Sequence, residues 1–235
     1  MNNQDIAKII DETPVDIDGP EAVLSTLASI SRLAARRDGY NGKHIKRTQL
    51  YCRLLAQELQ GESNYNRLIS DAYIDHIYYA AALHDVGKIG VPESILLKKG
   101  RLDPDEFEIM KSHVEIGKHA LCRVLAKYPQ NQFLKLSIGL TAYHHEKWDG
   151  SGYPEGLYGQ DIPLSARIMA LADVYDALRS KRPYKEPLSH EQSAHIVKEG
   201  GGVRFDPSVV KAFSKLESKF EEIYETTGEA QKPQD

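Results

Sequence analysis

The chain has 235 residues, 41% of them hydrophobic and 27% charged, with a formal net charge of −4. That length can bury one generous core, and the balance is that of an ordinary globular protein. The small negative charge excludes a globally basic binder of a DNA or RNA polymer, so an anionic ligand must be drawn by local positive charge.

Residues 1–20 carry five acidic side chains and no long apolar run, unlike a signal peptide. No stretch approaches the roughly 20 apolar residues of a membrane span, so no membrane association and a cytoplasmic location are expected. Glu21 to Arg37 places Val23, Leu24, Leu27 and Ile30 on one helical stripe, with further stripes from Ile45 to Leu59 and Ala72 to His84. Asp103-Pro104 reads as a helix start, with Glu106 at the capping-box position, and Ser112 can cap the helix after it. Helices are expected over about Gln132 to His145, Leu164 to Arg179 and Ser189 to Lys198, and Asp206-Pro207 opens the last, which fades after Gly228. Cys52 and Cys122 lie in apolar, helix-like stretches and read as reduced core thiols.

Clear strand alternation is missing. The expected fold is therefore all-α, one domain over residues 21–220 with about eight to ten helices, between an N-terminal segment (1–20) and a polar tail (221–235). One stretch departs from this pattern. Trp148 to Pro163 contains Gly150, Gly152, Gly156, Gly159, Pro154 and Pro163, too many helix breakers for anything but a loop, and its aromatic residues argue that the loop is structured.

Several of the nine histidines sit beside carboxylates or each other: His84-Asp85 and His144-His145-Glu146. Each pair alone is weak. Together in an all-α chain they suggest metal, because His plus carboxylate suits iron, manganese, zinc or nickel. Lys88 follows Asp85 by three residues and ends an apolar helix, so this charged group needs a partner: a metal, or a plain Asp85–Lys88 salt bridge. Asp173 shares its stripe with Ala166, Met169, Ala170, Asp176 and Ala177, small neighbours that let another helix approach, while Leu171, Val174 and Leu178 face ordinary core. A capped or salt-bridged acid is the alternative for Asp173. Lys98-Lys99-Gly100-Arg101 reads as a solvated basic turn.

Longer strings then carry a resemblance. His84-Asp85-Val86-Gly87-Lys88-Ile89-Gly90-Val91-Pro92, His144-His145-Glu146 through Gly152-Tyr153-Pro154, Ala172 through Ala177, Arg182-Pro183-Tyr184-Lys185 and Gly201 through Pro207 are similar to the HD-GYP phosphodiesterases of the HD superfamily. The likeness runs from about Ala35 to Val210. It implies an all-helical HD domain and metal ligation by His44, His84, Asp85, His113, His144, His145 and Asp173, with Asp85 as the bridge. The ions expected are iron or manganese, with nickel or zinc as alternatives. Some members hold a third ion through a glutamate four residues before the first ligand histidine. Here that position is Tyr40, so two divalent ions are expected.

The resemblance further implies hydrolysis of cyclic di-GMP to linear pGpG, and onward to GMP, by a hydroxide bridging the two ions, with Asp85 and Lys88 catalytic. It assigns phosphate and ligand contacts to Lys88, Asp176, Arg182 and Lys185, and links Gly152, Tyr153 and Pro154 to a protein partner. Histidines 76, 119, 190 and 195 match nothing, and His119 faces away from His113. The competing readings are a cyclic GMP-AMP phosphodiesterase, a nucleotidase of the wider HD group, and a weakly active cyclic-dinucleotide sensor that works through protein contacts. The chain has room for no receiver or sensory domain, so it reads as a stand-alone enzyme or a fragment.

Overall fold

The computed structural model describes residues 42–181 and 186–227. The described residues form α1 (Gly42–Gln60), α2 (Asp71–Ala80), α3 (Glu93–Leu96), α4 (Pro104–Lys111), α5 (His113–Leu125), α6 (Gln132–Tyr143), α7 (Leu164–Arg179), α8 (His190–Glu199) and α9 (Pro207–Thr226). Short 3-10 turns lie at Ala81–Leu83, Val86–Gly90 and Gly159–Asp161, and among the described residues pairing of strand type is confined to isolated bridges. The all-α expectation holds. The expected helix over Glu21 to Arg37, Tyr40, and the Arg182-Pro183-Tyr184-Lys185 block lie outside the described residues.

Local signals explain most boundaries. Asp103 accepts from the Glu106 N–H while Glu106 reaches back, and Ser189 and Gln192 repeat the arrangement at α8. Ser112 does not cap α5 as expected. Its hydroxyl donates backwards to the Ile109 carbonyl, because α4 runs into α5 with Ser112 still helical. The expected helix over Ala72 to His84 stops at Ala80 and tightens into a 3-10 turn, and α6 ends at Tyr143 rather than His145. Helix α9 continues to Thr226, past the expected tail boundary at 221, and the Tyr224 hydroxyl donates to the Arg179 carbonyl.

Helix α7 is the hub. Ser165, Ala166, Ile168, Met169, Leu171, Ala172, Tyr175 and Asp176 are all buried, and α1, α6, α8 and α9 pack around it. Tyr51, Tyr175, Phe213 and Phe220 interlock behind it, with Tyr51 and Phe220 stacked at 4.3 Å between ring centroids. Such offset and edge-on ring contacts hold helices in register as well as excluding water. On the other side the 3-10 turn at Val86–Gly90 lies directly on α5. A Cβ on Gly87 would stand 1.9 Å from the His113 carbonyl oxygen, so only glycine permits this approach. It carries His84, Asp85 and Lys88 against the start of α5.

Cys52 and Cys122 are both free thiols. Lys98 is ion-paired with Glu106 and the neighbouring Lys99 and Arg101 are exposed, as expected of a solvated turn. Among the described residues no helix is long and apolar enough to cross a membrane.

Candidate metal centre

Two groups of ligand-type side chains meet between α1, α5, α6, α7 and the 3-10 turns. Asp85, His113, His144 and His145 form one, and His44, His84 and Asp173 the other; within each, one ligand atom per residue lies within 4.8 Å of all the rest. All seven residues that the resemblance assigned to metal are thus brought together.

Asp85 stands between the two groups. Its Oδ2 lies 3.2 Å from His84 Nε2, while Oδ1 faces His113 Nε2 at 3.3 Å and His144 Nε2 at 3.8 Å. His44 Nε2 lies 3.7 Å from Asp173 Oδ1, closing the second group.

Hydrogen bonds prepare these imidazoles as ligands. Nδ1 of His84, His113 and His144 points at the carbonyl three residues back, Ala81, Met110 and Thr141, at 2.8, 2.8 and 3.0 Å. A carbonyl only accepts, so each Nδ1 carries the proton and each Nε2 lone pair faces the site. Those three Nε2 atoms are buried and make no hydrogen bond. Buried nitrogens left without a donor are costly, and a divalent ion satisfies them. The residues present therefore fit a metal pair.

The electrostatics agree for His113, His144 and His145. Burial, and then the neighbouring His84, pulls His144 down to about 3. His145 is held well below its usual range by burial and by His144, and burial lowers His113 as well. Neutral imidazole is the ligating form. His84 is the exception: burial opposes its charge, but the Asp85 carboxylate outweighs it and raises the ring to about 9, so without an ion Nε2 also carries a proton, which a ligating role must displace. Burial alone would raise Asp85; Lys88 and His84 overcome it and hold the carboxyl well below the usual range. Lys88 Nζ lies 2.7 Å from Asp85 Oδ2, so the salt bridge and the ligand group occur together.

Asp176 requires a correction. It was assigned to ligand contact, yet it is fully buried and its carboxylate is already engaged. Its Oδ2 meets His44 Nδ1 at 2.8 Å, and Arg47 donates through Nε at 2.5 Å and Nη2 at 2.9 Å. Asp176 orients His44 rather than touching a ligand, as carboxylates behind metal-bound histidines do. Helical spacing could have linked Arg47 to His44, three residues away, but its carboxylate partner lies 129 residues on.

The glycine-rich loop is ordered against this centre. Glu146, 3% exposed, accepts the backbone N–H groups of Glu155 and Gly156 at 2.8 and 3.0 Å. Gly152 presses so closely on the preceding turn that a Cβ would lie 2.3 Å from the Lys147 nitrogen. Tyr153 consequently stacks on His145, with centroids 4.8 Å apart and planes at 27°, and a cis peptide joins it to Pro154. A cleft of about 470 Å³ opens beside His144, His145 and Asp173, with Tyr153, Phe107 and Lys111 on its walls. Glu146, Arg47, Phe107 and Lys111 had no role in the sequence reading, because their positions depend on long-range packing.

The histidines outside the motifs stay outside the centre. His119 is 78% exposed beside Glu115, His195 pairs with Glu199, His76 rests edge-on to Phe133, and His190 is held by the Tyr175 hydroxyl.

Comparison with known proteins agrees with this geometry. A family model described as an HD domain matches residues 29–209. The chain belongs to the HD domain family. A Vibrio cholerae cyclic di-GMP phosphodiesterase is 49% identical to it over 194 residues, covering 83% of this chain and 39% of the relative. The 3'3'-cGAMP-specific phosphodiesterase 2 of the same organism is 40% identical over 195 residues, covering 83% of this HD chain and 35% of the relative. The chain thus spans well under two thirds of either relative's length. The crystal structure of V-cGAP3, a cyclic GMP-AMP specific phosphodiesterase of V. cholerae, superposes with a TM-score of 0.61 at 17% identity. That match covers 88% of this chain and 51% of the other, and it is a likeness of fold.

Proposed function

We propose that this HD chain hydrolyses cyclic di-GMP to linear pGpG at the centre bridged by Asp85, and that GMP can follow. One observation carries the reading. The two Asp85 oxygens face two separate ligand groups, and His144, His145 and Asp173 of those groups line a cleft large enough for nucleotide moieties. The cyclic di-GMP phosphodiesterase relative supports the choice of substrate.

His44, His84 and Asp173 would hold one divalent ion and His113, His144 and His145 the other, with Asp85 shared. Bound there, such a pair would supply a Lewis acid to the phosphoryl oxygens and lower the pKa of a water enough for it to attack at neutral pH. The chain's own residues do the rest. The Nδ1–carbonyl bonds aim the Nε2 atoms of His84, His113 and His144 inward, so these rings need not turn at binding. Lys88, beside Asp85, offers a positive charge to the phosphoryl oxygens as negative charge builds, and it can give a proton to the leaving oxygen. Arg182 and Lys185 are proposed for the second phosphate, where a guanidinium fork suits two oxygens. Iron or manganese is the proposed metal and the cytoplasm the proposed compartment. The exposed edge of the Gly152-Tyr153-Pro154 loop is the proposed contact for a protein partner.

Cyclic GMP-AMP is the second reading, favoured by the 40% identical relative named for that substrate. Anaerobically purified, metal-loaded protein incubated with each dinucleotide and analysed by chromatography decides between them. Faster conversion of cyclic di-GMP to pGpG is expected. Preference for the mixed dinucleotide would move the assignment, and metal-loaded protein that cleaves neither would overturn the enzyme reading in favour of a sensor.

A further inference from the structure

The cleft beside the metal ligands holds three cationic side chains, and they are not equivalent. Lys111 is paired with Glu108 at 2.5 Å, and Lys147 donates to the Ser151 hydroxyl at 3.3 Å. Arg204 also lines the cleft and is exposed, yet among the described residues it makes neither an ion pair nor a side-chain hydrogen bond. Its guanidinium lies over the Phe205 ring, 5.6 Å from the centroid, and close enough to Asp173 and Tyr153 to interact electrostatically with both.

This position is built, not incidental. The turn from Gly200 to Phe205 folds on itself, with the Gly200 carbonyl accepting from Arg204 and Phe205 at 2.8 and 3.0 Å. Gly202, at a φ of 79°, takes a backbone conformation that glycine tolerates best. The turn is then tied to the glycine-rich loop: Trp148 N–H donates to the Arg204 carbonyl at 3.2 Å and Asp149 N–H to the Val203 carbonyl at 2.9 Å. Phe205 is buried at 2% exposure and fixes the base of the turn. The backbone of Arg204 is therefore held rigidly while its charged end projects into the cleft with its hydrogen-bonding capacity unspent. A guanidinium resting on an aromatic face loses little freedom on meeting an anion, and its planar fork matches two phosphate oxygens.

We propose that Arg204 is a substrate-binding residue, a further contact beside those proposed above, to the phosphodiester of a cyclic dinucleotide that is not positioned over the metal centre. The proposal rests on the reading of the cleft as a cyclic-dinucleotide site. A ring with two phosphates can place one at Asp85 and Lys88 and bring the other within reach of Arg204 as an added contact, whereas a mononucleotide held at the centre has no second phosphate to offer.

The test compares two ligands on metal-loaded protein. Binding of cyclic di-GMP, resolved from its hydrolysis by rapid mixing, and equilibrium binding of GMP are measured for the unsubstituted chain, Arg204→Ala and Arg204→Lys, together with metal content. Removing a charge-assisted bond predicts a rise in the cyclic di-GMP Kd of about tenfold or more in Arg204→Ala and a rise for GMP of less than about threefold. Arg204→Lys falls between, and metal content stays that of the unsubstituted chain. Equal weakening for both ligands, loss of metal, or unchanged binding of cyclic di-GMP would each overturn the proposal. If the unsubstituted chain binds cyclic di-GMP without cleaving it, the enzyme reading fails while the ratio of Kd changes still decides Arg204. If it binds no cyclic di-GMP, both fall together.

Discussion

The two ligand groups of this centre are positioned by different means. In the group of Asp85, His113, His144 and His145, the ring orientations of His113 and His144 are set by carbonyls three residues back in their own chain segments. In the group of His44, His84 and Asp173, His44 depends on Asp176, 132 residues away, and Asp176 depends in turn on Arg47. The first group is largely a product of helix ends, whereas in the second only His84 is set locally, by the Ala81 carbonyl, and His44 and Asp173 rest on tertiary packing between α1 and α7. A local device survives small shifts between helices, whereas a long-range one transmits them to the metal. Asp85 is the residue on which both groups depend.

That contrast orders the expected effects of substitution. Asp85→Ala removes the shared carboxylate and should reduce kcat on the order of 10³-fold or more, with helical content by circular dichroism unchanged. Turnover near that of the unsubstituted chain would show that the two groups work independently. Arg47→Ala should act on one group alone. It leaves Asp176 buried with less support and should weaken one of the two metal-binding steps by about 10–100-fold, as loss of an outer partner does, while sparing the other. Metal titration checks this, and equal weakening of both steps would erase the distinction between the groups. Gly87→Ala probes the turn that carries both His84 and the shared Asp85. A Cβ at 1.9 Å from the His113 carbonyl oxygen forces the 3-10 turn away from α5. Overpacking of this kind costs about 1–3 kcal/mol, so thermal melting should show a Tm lower by several degrees. An unchanged Tm would mean that the turn moves freely on α5.

The same contrast explains what the sequence made legible. Helix starts at Asp103, Ser189 and Asp206 were readable because capping acts over three residues, and all seven metal-type residues were readable because motif strings preserve their spacing. The roles of Asp176, Arg47 and Glu146 were not. Each depends on a partner brought close by folding, and composition carries no trace of it. Asp176 shows the difference: the resemblance assigned it to ligand contact, whereas it is buried beneath Arg47 with its carboxylate on His44. Ser112 failed for a local reason, since a cap needs extended backbone and Ser112 is helical.

The central claim is that two distinct ligand groups, joined by Asp85, each hold one divalent ion. Metal analysis of anaerobically purified protein, normalised to chain concentration, tests it most directly. Two ions per chain is the predicted result, and a single ion per chain at saturation would contradict it.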